Sequence, residues 1–109
     1  MTPTEAAYVG GIIDGEGCIE FTRRPRIRYD RKGTPTYKTL IVRMEVPQVD
    51  GRLIDYLMET TKEGTRDMKH YPTNERWQDQ HRWRVGYHGV YRVLKQVYPY
   101  LIVKKEKAN

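Results

Sequence analysis

Val9-Gly10-Gly11-Ile12-Ile13-Asp14-Gly15-Glu16-Gly17 is the stretch that decides the fold of this chain. Before it, Thr2, Pro3 and Glu5 form the pattern of a helix N-terminus, in which Thr2 is the N-cap and Glu5 completes a capping box. The sequence therefore predicts a helix that begins at Pro3 and ends between Asp14 and Gly17. Two glycines in the middle of this helix cost about 2 kcal/mol relative to alanine, so a close packing contact must offset them.

Small residues one helical turn apart accompany these glycines, because Ala6 precedes Gly10 by four residues and Ala7 precedes Gly11 by four. Such tracks of small residues allow another helix to approach closely. Two interpretations remain open, namely packing against the chain's own sheet and contact with the same helix of a second subunit. In the second interpretation, the dimer interface would contain Ala7, Gly10 and Gly11.

The rest of the chain alternates hairpins with helices. Asp50 is the expected N-cap of a second helix that Gly64 ends, and Pro47 is expected to end the strand before it. The predicted strands are Cys18–Arg28, Tyr37–Val46, Thr65–Tyr71 and Gln80–Tyr87, and a third helix ends at Pro99. This order predicts a single α+β domain over residues 1–109, with helices on one face of the sheet and polar residues on the other.

The charge of the chain favours a polyanionic partner. Twenty Lys and Arg residues against fourteen Asp and Glu residues give a net charge of +6 and a pI of about 9.5. Cys18 is the only cysteine, which excludes an internal disulfide and a thiolate metal cluster within one chain. No apolar run approaches the roughly 20 residues of a membrane span. We therefore expect nucleic acid as the partner, not a membrane or a small-molecule substrate.

The polar positions of the predicted strands form a candidate DNA-binding surface. Arginine can read guanine with two hydrogen bonds and glutamine can read adenine in the same way. The alternative is an ordinary solvated sheet face without a partner. The predicted DNA-binding residues are Thr22, Arg24, Arg26, Thr39, Arg43, Glu45, Lys69, Gln80, Arg82 and Arg84.

The motif Val9–Gly17 resembles the one that names the LAGLIDADG homing endonucleases, with Gly10 in place of the usual alanine and Glu16 in place of the second aspartate. Tyr98–Lys105 resembles the family's Pro-aromatic-Leu-x-x-Lys segment. The α-β-β-α-β-β-α order matches over nearly the whole chain. The resemblance implies a single-motif subunit with a curved antiparallel DNA-binding sheet. It also implies a homodimer whose motif helices meet at the interface, which favours the predicted contact through Ala7, Gly10 and Gly11.

The resemblance also implies an activity and its site residues. It implies that Glu16 and the Gly15 carbonyl bind Mg²⁺, in sites that Mn²⁺ or Ca²⁺ can also occupy. It assigns catalytic roles to Lys104, which stabilises negative charge, and to Gln48 and Arg52, which order water. Asp14 is expected to serve structure at the helix end. The implied function is sequence-specific, metal-dependent cleavage of both strands of a long pseudopalindromic DNA site.

Two other functions stay open at this stage. The first is a non-catalytic nucleic-acid-binding protein on the same scaffold, including an intron RNA maturase. The second is an unrelated small basic α+β module that binds RNA through aromatic stacking on its sheet. For an endonuclease, we expect a location with the genome that it targets, either the cytoplasm of a prokaryote or an organelle.

Overall fold

The computed structural model describes residues 1–24, 28–29, 33, 35–36, 39–69 and 79–108. Its helices are α1 (Pro3–Glu16), α2 (Gly51–Thr61), α3 (Tyr87–Val97) and α4 (Lys105–Ala108), with a 3₁₀ turn at Tyr98–Tyr100. Its strands are β1 (Cys18–Arg24), β2 (Arg28–Tyr29), β3 (Pro35–Thr36), β4 (Thr39–Gln48), β5 (Thr65–Lys69) and β6 (Gln80–Val85). Among the helices of these residues, none has both the length and the apolar character that a membrane span needs.

The main sheet has four antiparallel strands in the order β1-β4-β6-β5. The short strands β2 and β3 pair with each other between β1 and β4. The predicted α+β architecture, with a hairpin before α2 and strands on both sides of the segment 70–79, is thereby confirmed. That the whole of 1–109 is a single domain stays a prediction.

The helices cover one face of this sheet. On that face lie Met44, Val46, Trp83 and Val85, all buried against apolar side chains of α1, α2 and α3. The Trp83 indole N–H donates a 2.8 Å hydrogen bond to the Glu63 carbonyl, so its polar atom is satisfied inside the core. The predicted alternation of apolar and polar residues along the strands is confirmed, and the polar positions lie on the opposite face of the sheet.

The two ends of α1 form as predicted. The Glu5 N–H donates to Thr2 Oγ1 at 3.1 Å and the Thr2 N–H donates to Glu5 Oε1 at 2.9 Å, which is a complete capping box. At the other end, the Gly17 N–H donates to the Ile13 carbonyl at 2.9 Å. A Cβ at Gly17 would lie 2.7 Å from that same oxygen, so the turn from α1 into β1 needs a glycine.

Several predicted boundaries are wrong. The strand predicted over Gln80–Tyr87 ends at Val85, because Tyr87 is the first residue of α3. Strand β4 continues through Pro47, which pairs with Arg82. Strand β1 begins at Cys18, opposite Glu45, so Pro47 lies where β4 has no neighbour on that side and a missing N–H is tolerated. Helix α2 ends before Gly64, because Lys62 takes a left-handed conformation with φ of 56°.

Candidate active site and nucleic-acid interface

The acidic end of α1 is open to solvent. Glu16 is the last residue of the helix, and both Glu16 and Gly15 are exposed. A Cβ built on Gly15 would meet no atom within 4 Å, so there is free space beside its backbone. This end of the helix can therefore accept a ligand that approaches its oxygen atoms.

The segment after the 3₁₀ turn is fixed to this end of α1 by Asp14. Its carboxylate accepts hydrogen bonds from the Ile102 N–H at 2.7 Å and from the Lys104 N–H at 3.0 Å. The Lys104 ammonium donates a 2.7 Å hydrogen bond to the Asp14 carbonyl. The predicted structural role of Asp14 fits these contacts, and they place Lys104 at the helix end that carries Glu16.

The electrostatics of Asp14 agree with this role. Partial burial acts to raise the pKa of Asp14, but the backbone N–H groups of Ile102, Lys104 and Val103 outweigh it, together with the Lys104 charge. The result is a pKa of Asp14 below its ordinary value. Lys104 also lies where the partial negative charge of a helix C-terminus favours a cation.

The oxygen atoms at this helix end are of the kind that a hard divalent cation binds. The Ile13 and Asp14 carbonyls accept from the Gly17 N–H and the Lys104 ammonium, whereas the Gly15 carbonyl accepts no hydrogen bond from the described residues. One carboxylate and one carbonyl suit Mg²⁺, but they are too few for a complete site. Within the described residues, no group of three or more His, Cys, Asp or Glu residues could hold a metal.

Gln48 and Arg52 lie at the same end of the sheet, because β1 starts opposite Glu45 and β4 runs on to Gln48. The half-buried Gln48 side chain accepts the Val49 N–H at 2.8 Å. Arg52 has a 90% exposed side chain, which donates to Asp50 Oδ2 at 2.6 Å. The contacts described for these two side chains do not join them to Glu16, and their catalytic roles stay predictions.

The three residues of the predicted dimer interface differ in how far α1 exposes them. Gly10 is buried, and a Cβ there would lie 3.3 Å from the Tyr100 Cβ and 3.5 Å from the Val97 Cβ. The closest packing of Gly10 is thus within the chain, and its place in a dimer interface stays a prediction. Ala7 and Gly11 are exposed, and a Cβ at Gly11 would meet nothing within 4 Å.

Those predicted DNA-binding positions that the structure describes share the sheet face that the helices leave open. In the register, Glu45 pairs with Arg84, and Lys69 pairs with Gln80, whereas the alternating positions Met44, Trp83 and Val85 face the core. The backbones of Thr22, Arg24, Thr39 and Lys69 occupy this face by register, but their side chains lie outside the described part, and so does the whole of Arg26. DNA contact by these residues stays a prediction.

Besides the predicted Glu45, two further carboxylates lie on this open face, namely Glu20 and Asp67. Glu20 and Asp67 occupy the same alternating positions as the predicted residues. Arg43 Nε lies 2.5 Å from Glu20 Oε2, and Arg82 Nε lies 2.7 Å from Asp67 Oδ1. Strand alternation alone would have found both acids.

The positive charge of the chain is concentrated in one segment of the sequence. Residues 21–40 contain seven Lys and Arg residues and one Asp, and their net charge of +6 equals that of the whole chain. The remaining 89 residues therefore carry equal numbers of basic and acidic side chains. Any strong attraction to phosphate is expected at this segment, between the beginnings of β1 and β4.

Neither a protein-family model nor a curated protein matches the sequence, whereas solved structures do. The homing endonuclease I-CvuI in complex with its target is similar with a TM-score of 0.74 and 19% identity over 97% of this chain. The archaeal intron-encoded homing endonuclease I-Vdi141I, complexed with DNA, gives 0.68 and 15% over 99%. The I-SmaMI LAGLIDADG homing endonuclease bound to cleaved DNA gives 0.62 and 21% over 96%.

The chain spans 62%, 64% and 32% of the lengths of these three proteins. The likeness extends along almost all of this chain, at identities of 15–21%, and it is therefore a likeness of fold. The resemblance that the Val9–Gly17 motif predicted is confirmed at that level. The chain has the LAGLIDADG homing endonuclease fold.

Proposed function

We propose that this protein is a sequence-specific endonuclease that cuts both strands of duplex DNA as a metal-dependent homodimer. The observation that carries the proposal is that Glu16, the Gly15 carbonyl and the Lys104 ammonium all lie at the same open end of α1. The fold supports it, because I-Vdi141I and I-SmaMI have this fold and were solved with DNA.

Glu16 and the Gly15 carbonyl are the groups that would hold the metal. Their oxygen atoms suit Mg²⁺, and Mn²⁺ or Ca²⁺ could bind the same ligands. A bound divalent cation would supply Lewis-acid stabilisation of the negative charge that develops during phosphodiester hydrolysis. I-CvuI structures were obtained in the presence of Ca or Mg, which agrees with divalent metal use in this fold.

The chain itself contributes positioning and charge to the reaction. Asp14 holds the backbone of the Lys104 segment with two hydrogen bonds, so Lys104 is fixed before any substrate binds. A fixed cation stabilises the developing negative charge without reorganising during the reaction. We assign to Lys104 the stabilisation of the phosphate oxygens, and to Gln48 and Arg52 the ordering of water near them.

A second subunit completes the site in this proposal. One chain offers a single exposed carboxylate at the helix end, and two copies would bring two carboxylates to the scissile phosphates. The exposed Ala7 and Gly11 leave room for a close helix–helix contact on the face of α1 that the chain does not use. We propose that α1 of one subunit packs against α1 of the other through these two residues.

The open sheet face favours duplex DNA over RNA bound by stacking. Of its paired positions in β1, β4, β5 and β6, none is aromatic. A stacking platform needs aromatic side chains at such positions. A ten-residue strand such as β4 extends over roughly 33 Å at ~3.3 Å per residue, which is close to one turn of B-DNA.

Cleavage selection tests the proposal. A randomised duplex library is incubated with the protein and Mg²⁺, and the cut ends are sequenced. We expect one enriched pseudopalindrome of roughly twenty base pairs, cut in both strands near its centre. Binding without any cutting would support the non-catalytic alternative, and cutting without sequence preference would contradict the proposed recognition. The protein is proposed to act where the target genome lies.

A further inference from the structure

Three adjacent strands bring two arginines and two carboxylates together on the open face. Asp67 binds Arg82 with both oxygens, accepting from Nε at 2.7 Å and from Nη2 at 3.0 Å. Asp67 Oδ2 also accepts from Arg84 Nη1 at 3.2 Å. Glu45 lies on the other side, with its carboxylate oxygens 3.5 Å from Arg82 Nη1 and 3.6 Å from Arg84 Nε.

The strand register produces this arrangement. Asp67 pairs with Arg82 across β5 and β6, and Glu45 pairs with Arg84 across β4 and β6. The two arginines are neighbours on one face of β6, so each carboxylate contacts one arginine directly and the other diagonally. The pKa of Asp67 is lowered, chiefly by its hydrogen bond with Arg82 and further by Arg84, so this carboxylate stays charged at neutral pH.

The cluster has no net charge, which bears on what it can recognise. The charges of two arginines and two carboxylates cancel, so the cluster attracts phosphate only weakly. Phosphate contacts carry no sequence information, so this weak attraction does not limit base recognition. An arginine that is held in place still offers its outer N–H groups to a base, and it has less side-chain entropy to lose on binding. The side chain of Arg84 is 41% exposed and that of Arg82 is 23% exposed.

We propose that Asp67 is a positioning residue for sequence recognition, which binds Arg82 and Arg84 directly and so holds Arg84 in place to read a base pair. The inference rests on the proposed function. The negative charge of Asp67 also opposes non-specific attachment to phosphate, so it increases the difference between specific and non-specific affinity. A merely stabilising ion pair on an exposed surface would contribute little to folding and nothing to base choice.

The test compares Asp67→Asn with Asp55→Asn, which makes the same change in net charge. Asp55 lies on α2 and pairs with Arg66, away from the open face. Dissociation constants are measured by fluorescence anisotropy for the selected duplex, for a scrambled duplex and for duplexes with single base-pair changes. The discrimination ratio is the dissociation constant for the scrambled duplex divided by that for the selected duplex. We expect Asp67→Asn to lower this discrimination ratio about tenfold, since one bidentate base contact accounts for a factor of that order.

The loss of discrimination should fall on one or two base pairs of each half-site, and binding to the scrambled duplex should tighten. Asp55→Asn should change both affinities alike and leave the ratio unchanged. A third variant, Asp67→Glu, keeps the charge and moves the carboxylate by one methylene. It should reduce discrimination at the same base pairs while binding to the scrambled duplex stays constant.

The possible failures can be told apart. If the wild-type protein does not distinguish the selected duplex from the scrambled one, the proposed function fails, and this inference fails with it. If the wild-type protein discriminates, and Asp67→Asn has the same discrimination ratio as Asp55→Asn, only the positioning role of Asp67 is refuted. A uniform loss at all base pairs refutes it too. Urea unfolding of each variant verifies that the compared proteins are folded.

Discussion

Replacing Gly11 with alanine separates the stability of the single chain from its association. Gly11 lies inside α1 and is exposed, and an added Cβ would meet nothing within 4 Å. In the single chain, Gly11→Ala therefore gains about 1 kcal/mol from helix propensity without a steric cost. For a domain of this size, that gain corresponds to a rise in Tm of about 4–8 °C.

Association should respond in the opposite direction. If α1 crosses its copy at Gly11, the new methyl group lies in the contact, and overpacking of this kind costs about 1–3 kcal/mol. We therefore expect Gly11→Ala to weaken the dimer by about tenfold or more, measured by sedimentation velocity over a dilution series. DNA cleavage should fall in parallel, because only the dimer has a complete site.

The adjacent glycine provides the matched control. Gly10→Ala gains the same helix propensity, but its Cβ presses on Tyr100 within the chain. We expect a smaller gain in stability than for Gly11→Ala and no change in the dissociation constant of the dimer. A dimer that is equally strong in the wild-type protein and in Gly11→Ala would refute the assignment of this helix face to the interface.

Two further predictions concern carboxylates. Asp14→Ala removes the acceptor of the Ile102 and Lys104 N–H groups, and should lower the free energy of unfolding, measured with urea, by about 2–4 kcal/mol. It should also reduce DNA cleavage, because Lys104 is released. An unchanged midpoint of urea unfolding would contradict this role of Asp14. The Arg52 side chain, with the backbone N–H of the same residue, lowers the pKa of Asp50 from 3.8 to about 2. Because the folded pKa is depressed, the stability it confers is complete above pH 3.8 and is lost as pH falls through about 2, so Asp50→Asn should flatten acid unfolding measured by circular dichroism in that window. An equally steep acid transition in the variant would contradict it.

Local signals in the sequence predicted much of the fold. The capping box, the glycine that ends α1 and the alternation in β4 depend on neighbouring residues, and the structure contains each of them. The motif end and Lys104 were matched through the family resemblance, because 88 residues separate Glu16 from Lys104 in the chain. Their shared location at the end of α1 came from the resemblance and not from any local pattern.

Contacts between distant segments could not be predicted in this way. Gly10 packs on Tyr100, and no spacing rule links these residues, so the sequence alone left two interpretations of the glycine pair open. Asp67 binds Arg82 only because β5 and β6 pair in one register, and a shift by one residue would put them on opposite faces. The sequence shows which residues are polar, whereas the register decides which of them are paired.

The chemistry of Glu16 is the central claim, and single-turnover cleavage of the selected duplex tests it most directly. The comparison is between the wild-type protein, Glu16→Gln and the control Glu59→Gln, which removes an equal charge from an exposed position on α2. We predict that all three proteins bind the duplex with the same affinity. With Mg²⁺, Glu16→Gln should cut at least about 100-fold more slowly than the wild-type protein, since one electrostatic contact to the transition state contributes a factor of that order. Cleavage by Glu16→Gln at the wild-type rate would contradict the assignment of the active site to the end of α1.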